Sequence, residues 1–251
     1  MASSPPRPKR ASWFSRHPRL VRAVALVITF GFAAGLGTGY GLWSLICRGN
    51  RCPSIAVLES YQPKQTSKLF AVDGRFVAEL GLERRTLARI ADIPDVVRNA
   101  FVITEDKRFY SHQGIDWLRI PGSVLNNLRA GYFKEGFSTI TMQLARNIFP
   151  EHLSREKSVI RKIKEARVAR QIEQQYSKDR ILELYLNQIN LGSGAYGVET
   201  AAQRYFGKKV SDLNVAEAAT LAAMPKAPGR YNPRRFPERA VQRRNTIIEL
   251  M

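Results

Sequence analysis

The chain has 251 residues, of which 44% are hydrophobic, and this apolar content excludes a wholly disordered protein. Its 40 Lys and Arg outnumber its 21 Asp and Glu, so the formal net charge is +19 at pH 7. That surplus favours a negatively charged partner such as a nucleic acid, an acidic membrane surface or a phosphorylated ligand. Charge alone does not choose among these three.

The N-terminal region has the pattern of a membrane anchor. Residues 1–22 form a tail with six Lys and Arg and no acid, and the next 25 residues, 23–47, carry no charge. About 20 apolar residues are enough for a helix to cross the hydrocarbon core, so we predict a single transmembrane anchor with its basic tail in the cytoplasm. A cleaved signal peptide is the alternative, but residues 44–51 lack a small-x-small cleavage site.

Cys47 and Cys52 are the two cysteines of the chain and lie just beyond the predicted anchor. In an oxidising compartment they could form a small disulfide loop, and otherwise they stay two thiols. Both alternatives remain open here. Two cysteines supply too few ligands for a structural zinc site.

The remaining sequence divides into a short β-rich segment and a helical domain. Residues 48–92 are predicted to be a β-rich linker, because Asp73-Gly74 between apolar runs indicates a hairpin. Residues 93–251 show helical spacing and are predicted to form the main domain. Its clearest helices are expected over residues 156–176, 178–189 and 215–224, the last opened by a capping box. We therefore predict a mainly α protein.

A ten-residue run from Glu105 to Gly114 places two carboxylates, an aromatic ring and an imidazole directly after the first helix of this domain. Taken alone, the run permits two interpretations. Glu105 could form a solvent-exposed ion pair with Lys107 or Arg108. It could instead act as an acid–base group in an active site.

Four later segments add chemistry. Residues 136–146 are rich in hydroxyl and amide side chains of the kind that bind phosphate or sugar, and residues 161–165 place Glu165 on one helical face with Arg161 and Lys162. The runs 178–187 and 243–248 close the series.

Together these segments resemble, in order and spacing, the five motifs of glycosyltransferase family 51. These are the peptidoglycan polymerases of class A penicillin-binding proteins and monofunctional transglycosylases. The resemblance covers about residues 93–251 and rests on E-D-x-x-F-x-x-H-x-G, G-x-S-T-I-T-x-Q, R-K-x-x-E and K-x-x-I-L-E-x-Y-L-N. Met142 departs from the pattern, because many members carry a second glutamine there, while Gln143 is retained.

The resemblance implies a lysozyme-like fold with two lobes and a cleft, and it implies an activity. The expected reaction polymerises lipid II into β-1,4 glycan strands with inversion and releases undecaprenyl pyrophosphate. Glu105 would be the general base on the acceptor 4-hydroxyl, and Glu165 would assist departure of the pyrophosphate. Because a carboxylate cannot attract a pyrophosphate, nearby cations are expected to neutralise the charge on the leaving group.

The substrate-binding candidates are polar, charged and aromatic residues within these segments, together with Lys157 between the second and third of them. They are Asp106, Phe109, His112, Ser138, Thr139, Thr141, Gln143, Arg146, Lys157, Arg161, Lys162, Glu183 and Asn187. Four of them, Arg146, Lys157, Arg161 and Lys162, are the cations expected at the leaving group.

No cofactor is expected to be required, since the sequence shows no His/Cys ligand cluster. Mg²⁺ or Mn²⁺ is expected to bridge pyrophosphate oxygens, as the resemblance implies. The expected partners are lipid II, the nascent glycan chain, the cytoplasmic membrane and other cell-wall synthesis or division proteins. Nucleic acid is not expected, because RNP, zinc-finger and helix-turn-helix signals are absent from the sequence.

Two alternative functions stand beside the polymerase. A lytic transglycosylase or muramidase would use similar architecture but needs neither a lipid anchor nor a pyrophosphate-seeking cluster of cations. A non-catalytic cell-wall scaffold is disfavoured because Glu105 and Glu165 are both present.

The match of Ser154 and Lys157 to S-x-x-K is interpreted as accidental, since no K-T-G accompanies it. A continuation into a transpeptidase domain beyond Met251 is expected. The localisation expected is a bacterial cytoplasmic membrane, with the catalytic domain outside.

Overall fold

The computed structural model describes residues 18–48, 52–59, 61, 63, 67–80, 84–131, 136–153 and 158–251. Two compact units can be distinguished, Met1–Arg48 and Gly49–Met251. The first is a single helix in its described part, and the second contains all the other elements.

Helix α1 spans Pro18–Ile46 and is long and apolar enough to cross a membrane, with a mean hydropathy of 1.9 in its most apolar window. An apolar helix was predicted over residues 23–47, and this is confirmed with an earlier start. Its 29 residues span about 44 Å, which exceeds the roughly 30 Å of a hydrocarbon core. The Thr29 and Thr38 hydroxyls each donate to the carbonyl four residues back at 2.8 Å, so neither needs water as a partner.

The two cysteines are in the oxidised state. Cys47 and Cys52 are both disulfide-bonded. Of the two states that the sequence left open, the structure therefore has the disulfide.

The second unit begins with the predicted hairpin. Strands β1 (Ser67–Phe70) and β2 (Phe76–Leu80) are antiparallel, with Ser67 opposite Leu80 and a register shift after Leu69. Gly74 takes a φ of +79° in the turn and donates its N–H to Ala71 O at 2.9 Å. The prediction from Asp73-Gly74 is confirmed, because glycine reaches that backbone region without strain.

A second, two-residue pairing connects this segment to the helical part. Strand β3 (Arg84–Arg85) runs parallel to β4 (Ala195–Tyr196), more than 100 residues later in the chain. The segment predicted as a linker is thus hydrogen-bonded to the domain that follows it.

Eight helices follow within the described residues. They are α2 (Asp95–Glu105), α3 (Arg119–Ala130), α4 (Ile140–Ile148), α5 (Val159–Gln175), α6 (Lys178–Gln188), α7 (Val198–Phe206), α8 (Val215–Ala223) and α9 (Pro237–Leu250). The mainly α prediction is confirmed. Helix α5 begins at Val159 because the Ser158 hydroxyl accepts from Arg161 N at 3.1 Å and caps it. The capping box of Asn214 and Glu217 opens α8 as predicted.

The core places α4 at the centre of the domain. Residues 140–145 of this helix are all buried, and α4 packs against both α5 and α6. On α6, Tyr185 is fully buried, and its ring centroid lies 6.5 Å from that of Phe101 of α2 in an edge-to-face arrangement. Because α4 is enclosed, the polar side chains that it carries are held in defined positions.

Gly114 is a point of close backbone approach between the Glu105 segment and α5. Its φ is +83°, and an added Cβ would lie 2.8 Å from the backbone of Ala169 and Arg170. At Gly207, φ is +68° but the surrounding space is open. Substituting each of the two glycines therefore distinguishes the cost of backbone strain from the cost of a steric collision.

We expect Gly114→Ala to lower the free energy of unfolding by about 3 kcal/mol or more, since α5 must move to admit the methyl group. Gly207→Ala should cost only the backbone strain, about 1 kcal/mol. Chemical denaturation of the two variants measures the difference. Equal losses would show that α5 does not press on Gly114.

Candidate active site

Glu105 ends α2 and is partly buried beside α4. Its carboxylate accepts a hydrogen bond from Gln143 Nε2 at 2.8 Å, and its backbone carbonyl accepts from Arg119 Nη1 at 3.1 Å. Burial raises the pKa of Glu105 above its usual value, while the Gln143 hydrogen bond and the charges of Arg243, Arg119 and Lys226 oppose that rise. A carboxylate with a raised pKa is a stronger proton acceptor than an ordinary one once it is ionised.

The solvated ion-pair interpretation of Glu105 does not fit these contacts. Arg108 pairs with Asp116, with Nε 3.0 Å from Oδ2, and Lys107 points to solvent in an exposed position. Among the described residues, Glu105 forms no ion pair. The amide of Gln143 is its side-chain partner instead.

Asp106, next to Glu105, attaches this segment to α4. Its Oδ2 lies 2.9 Å from His112 Nε2 and accepts from Ile140 N, the first helical amide of α4, at 3.0 Å. A carboxylate at a helix N-terminus satisfies an amide that has no intrahelical partner and interacts favourably with the helix dipole. Phe109 is fully buried, with Lys178 Nζ 4.4 Å from its ring centroid. These contacts fix Glu105 relative to α4.

Glu165 has the opposite environment. It lies on α5 and is fully buried, and Arg161 and Lys162 of the same helix both donate to it, the second at 2.6 Å. Arg146 Nη1 lies 3.7 Å from Glu165 Oε1. We call Arg146, Arg161 and Lys162 the cation cluster. Burial lowers the pKa of Lys162. The hydrogen bond and charge of Glu165 oppose that effect, and the smaller contributions of Arg146 and Arg161 add to it.

Helix α4 connects the two carboxylates. Gln143, which contacts Glu105, and Arg146, which contacts Glu165, are three residues apart, so their side chains are neighbours on one face. Along that face, one carboxylate meets a neutral amide and the other meets cations. Two carboxylates in such different environments are suited to different chemical roles.

Comparison with known proteins identifies the family of the chain. The family described as Transglycosylase matches residues 73–251. The chain belongs to the transglycosylase family. The resemblance predicted from the motifs is thereby confirmed, and the match starts ahead of the boundary predicted at residue 93.

The relatives of this transglycosylase domain include penicillin-binding proteins 1A. The chain is 52% identical over 199 residues to that of Aquifex aeolicus, covering 79% of the chain and 27% of the relative. It is 45% identical over 225 residues to that of Neisseria lactamica, covering 88% and 28%. The chain thus spans little more than a quarter of these relatives. A crystal structure of the Haemophilus influenzae protein is 27% identical with a TM-score of 0.43, covering 76% of the chain and 18% of that structure.

The hydroxyl side chains within residues 136–146 fall into two groups according to their hydrogen-bond partners. The Ser138 hydroxyl accepts from Lys162 Nζ and so adjoins the cation cluster. Thr139 caps α4 and donates to Gly114 O at 2.7 Å, and Thr141 donates to Glu173 Oε1 at 2.6 Å. Both threonine hydroxyls are therefore engaged within the protein, and their assignment to substrate stays a prediction.

Glu183 and Asn187, both on α6, hold the segment before α2. Glu183 Oε2 accepts from Ile90 N at 2.7 Å, and the Asn187 amide makes two hydrogen bonds to the backbone of Ala88, at 2.9 and 2.8 Å. Their contact with substrate likewise stays a prediction. Lys157 lies outside the described residues, as does the serine of the S-x-x-K match, Ser154.

Three cations near Glu105 were absent from the sequence-based candidates. Arg119, Lys226 and Arg243 come from α3, the segment after α8, and α9, and all three act electrostatically on Glu105. Arg243 begins the last of the five motifs, so its position carried a signal. Arg119 and Lys226 lie outside the motif residues quoted above, and the fold alone brings them near Glu105.

Proposed function

We propose that this transglycosylase domain is a peptidoglycan glycosyltransferase that joins the disaccharide units of lipid II into β-1,4 glycan strands and releases undecaprenyl pyrophosphate. The observation that carries the proposal is the contrast along α4. Glu105 is a desolvated carboxylate held by one neutral amide, and Glu165 is a buried carboxylate held by cations.

In the proposed reaction, Glu105 removes the proton from the 4-hydroxyl of the acceptor sugar. The oxygen attacks the anomeric carbon of the donor as the bond to the pyrophosphate breaks, and the proton stays on Glu105 until water removes it. An α-linked donor and a β-linked product require attack from the opposite face in a single displacement, without a glycosyl-enzyme intermediate.

The cation cluster is proposed to bind the pyrophosphate leaving group. Glu165 holds Arg161 and Lys162 in place before substrate arrives, and its negative charge offsets the repulsion between these two cations in the folded protein. Negative charge on the departing phosphate then meets preorganised donors. Glu165 therefore acts through the cations that it orients. The described residues hold no group of three or more His, Cys, Asp or Glu side chains that could bind a metal ion. Mg²⁺ or Mn²⁺ would therefore be held mainly by the pyrophosphate itself, where it would supply further positive charge.

Membrane attachment fits a substrate that carries a lipid. We propose that α1 anchors the chain in the cytoplasmic membrane of a bacterium with the N-terminus inside, next to the lipid II that the domain consumes. The nascent glycan chain and other cell-wall synthesis or division proteins are the further partners proposed.

Topology gives a direct prediction. A reporter enzyme that works only outside the cytoplasm, fused after Arg51, should be active, because the six basic residues before the apolar run retain the N-terminus inside. The same fusion with a reporter that works only in the cytoplasm should be silent. The reverse pattern would contradict the proposed orientation.

The proposed activity is tested with the purified chain in detergent and purified lipid II. We expect polymeric glycan whose linkages are β by NMR, together with released undecaprenyl pyrophosphate. The same protein should release no soluble fragments from isolated peptidoglycan. Solubilised fragments without polymer would favour the lytic alternative, and neither product would favour the scaffold.

A further inference from the structure

Gln143 lies between a partly buried carboxylate and a fully buried hydroxyl on different helices. Its Nε2 donates to Glu105 Oε2 at 2.8 Å, and its Oε1 accepts from the Tyr185 hydroxyl at 3.5 Å. Tyr185 is fully buried, and Gln143 is 9% exposed. A hydrogen-bonded series therefore runs from Tyr185 of α6 through Gln143 of α4 to Glu105 at the end of α2.

The orientation of the Gln143 amide decides what Glu105 meets. With its NH₂ toward Glu105, the amide stabilises the ionised carboxylate that a base requires. Rotated by half a turn, it would place a carbonyl oxygen against that carboxylate. The ionised carboxylate, which can only accept, selects the first orientation. The Tyr185 hydroxyl, 3.5 Å from Oε1, gives the amide oxygen a donor in that orientation and so restrains the amide in it.

We infer that Tyr185 is a positioning residue for the base: its hydroxyl holds the Gln143 amide with the NH₂ group toward Glu105. The inference rests on the proposed function, because it concerns how the base of that reaction is kept ionised. Tyr185 acts through Gln143 and is not in contact with Glu105 through any described hydrogen bond.

Other charges near the series are unchanged by the substitutions that test it. Arg119, Lys226 and Arg243 act on Glu105, while Asp106, Arg146 and Glu105 itself act on Tyr185. Burial raises the pKa of Tyr185 well above its usual value, so the phenol stays protonated and able to donate throughout the working pH range. A shift in the titration of Glu105 would then report the loss of hydrogen bonds.

The test is the pH dependence of lipid II polymerisation by the full chain and four variants: Tyr185→Phe, Gln143→Met, the double variant and Tyr205→Phe. The acidic limb of the pH–rate profile is the range in which the rate rises as Glu105 ionises. For Tyr185→Phe we expect this limb to move up by about half a pH unit, which lowers the rate about 3-fold on the limb and little on the plateau at higher pH. For Gln143→Met, which removes the donor itself, we expect a rise of about one unit or more. Adding Tyr185→Phe to Gln143→Met should move the limb no further.

Tyr205→Phe is the matched control, since it also removes a tyrosine hydroxyl. That hydroxyl donates to Leu191 O at 2.9 Å and is not part of the series that ends at Glu105. It should change thermal stability but leave the acidic limb in place. An unmoved limb in Tyr185→Phe, or an equal shift in Tyr205→Phe, would overturn the inference. If Tyr185→Phe does not fold, an unmoved limb in Gln143→Met would overturn it, because Tyr185 acts only through that amide.

The inference and the proposed function fail in distinguishable ways. A limb that depends on Glu105 but ignores Tyr185 would overturn the inference and leave the base in place. A limb that persists unchanged in Glu105→Gln would overturn the assignment of the base as well.

Discussion

Glu105→Gln should lower the rate of lipid II polymerisation at least about 100-fold, which is the lower bound of what a general base typically contributes. The amide keeps the size of the side chain and can still accept the hydrogen bond from Gln143 Nε2. Only the ability to take a proton is lost. Binding of the lipid-linked donor should therefore persist, and a direct binding assay with the purified variant separates the two effects.

Stability supplies the control for this variant. The pKa of Glu105 is raised in the folded state, so the unfolded chain ionises first and ionisation costs stability as the pH rises through the folded pKa. Glu105→Gln removes that cost. It should be at least as stable as the unmodified protein at neutral pH, with any gain vanishing below the unfolded pKa. An exposed residue, Glu249, offers a matched Glu→Gln change that should leave the rate unaltered. A rate loss accompanied by unfolding would not support catalysis by Glu105.

Glu165→Gln should act on both stability and substrate binding. Removing the charge of a fully buried carboxylate leaves Arg161 and Lys162 close together without their counter-charge. We expect a loss of about 2–3 kcal/mol in the free energy of unfolding, discounted from a fully buried pair because both cations keep some access to solvent. Affinity for the lipid pyrophosphate should also change, because the cations are no longer oriented.

Chemical denaturation and pyrophosphate-lipid binding measure these two effects. Glu105→Gln serves as the matched comparison, since it is the same substitution at the other carboxylate with the opposite expected effect on stability. Lys162→Met in the Glu165→Gln background should cost less than it does alone, because the two side chains are coupled. Unaltered stability and donor binding in Glu165→Gln would remove the proposed role of Glu165.

Local signals account for the parts of the fold that were predicted well. The hairpin at Asp73-Gly74 and the capping box at Asn214 and Glu217 each depend on residues within a few positions of one another. Glu105 and Glu165 were reached through motifs whose spacing is itself local. The helix predicted over residues 156–176 is present as α5, which begins at Val159 where Ser158 caps its first turn, and the predicted residues before Ser158 lie outside the described ones.

Contacts between distant segments were beyond prediction. The Thr141 hydroxyl donates to Glu173, 32 residues later, and the Asn187 amide donates to the carbonyl of Ala88, 99 residues earlier, and neither partner was predicted. A hydroxyl or an amide can serve sugar, phosphate or backbone equally well, so residue type does not reveal its partner. Lys226 lies near Glu105 because α8 and α9 pack against α2, and this packing cannot be inferred from the sequence of any one of these segments.

The most direct measurement is the single-turnover rate of lipid II polymerisation across pH, compared between the unmodified chain and Glu105→Gln with folding confirmed. If Glu105 is the base, the unmodified rate rises with pH along an acidic limb whose apparent pKa lies above the usual range of a glutamate, because burial raises it. In Glu105→Gln the residual rate should be at least about 100-fold lower and should lack that limb. Near-normal polymerisation by Glu105→Gln, with the same limb, would contradict the account.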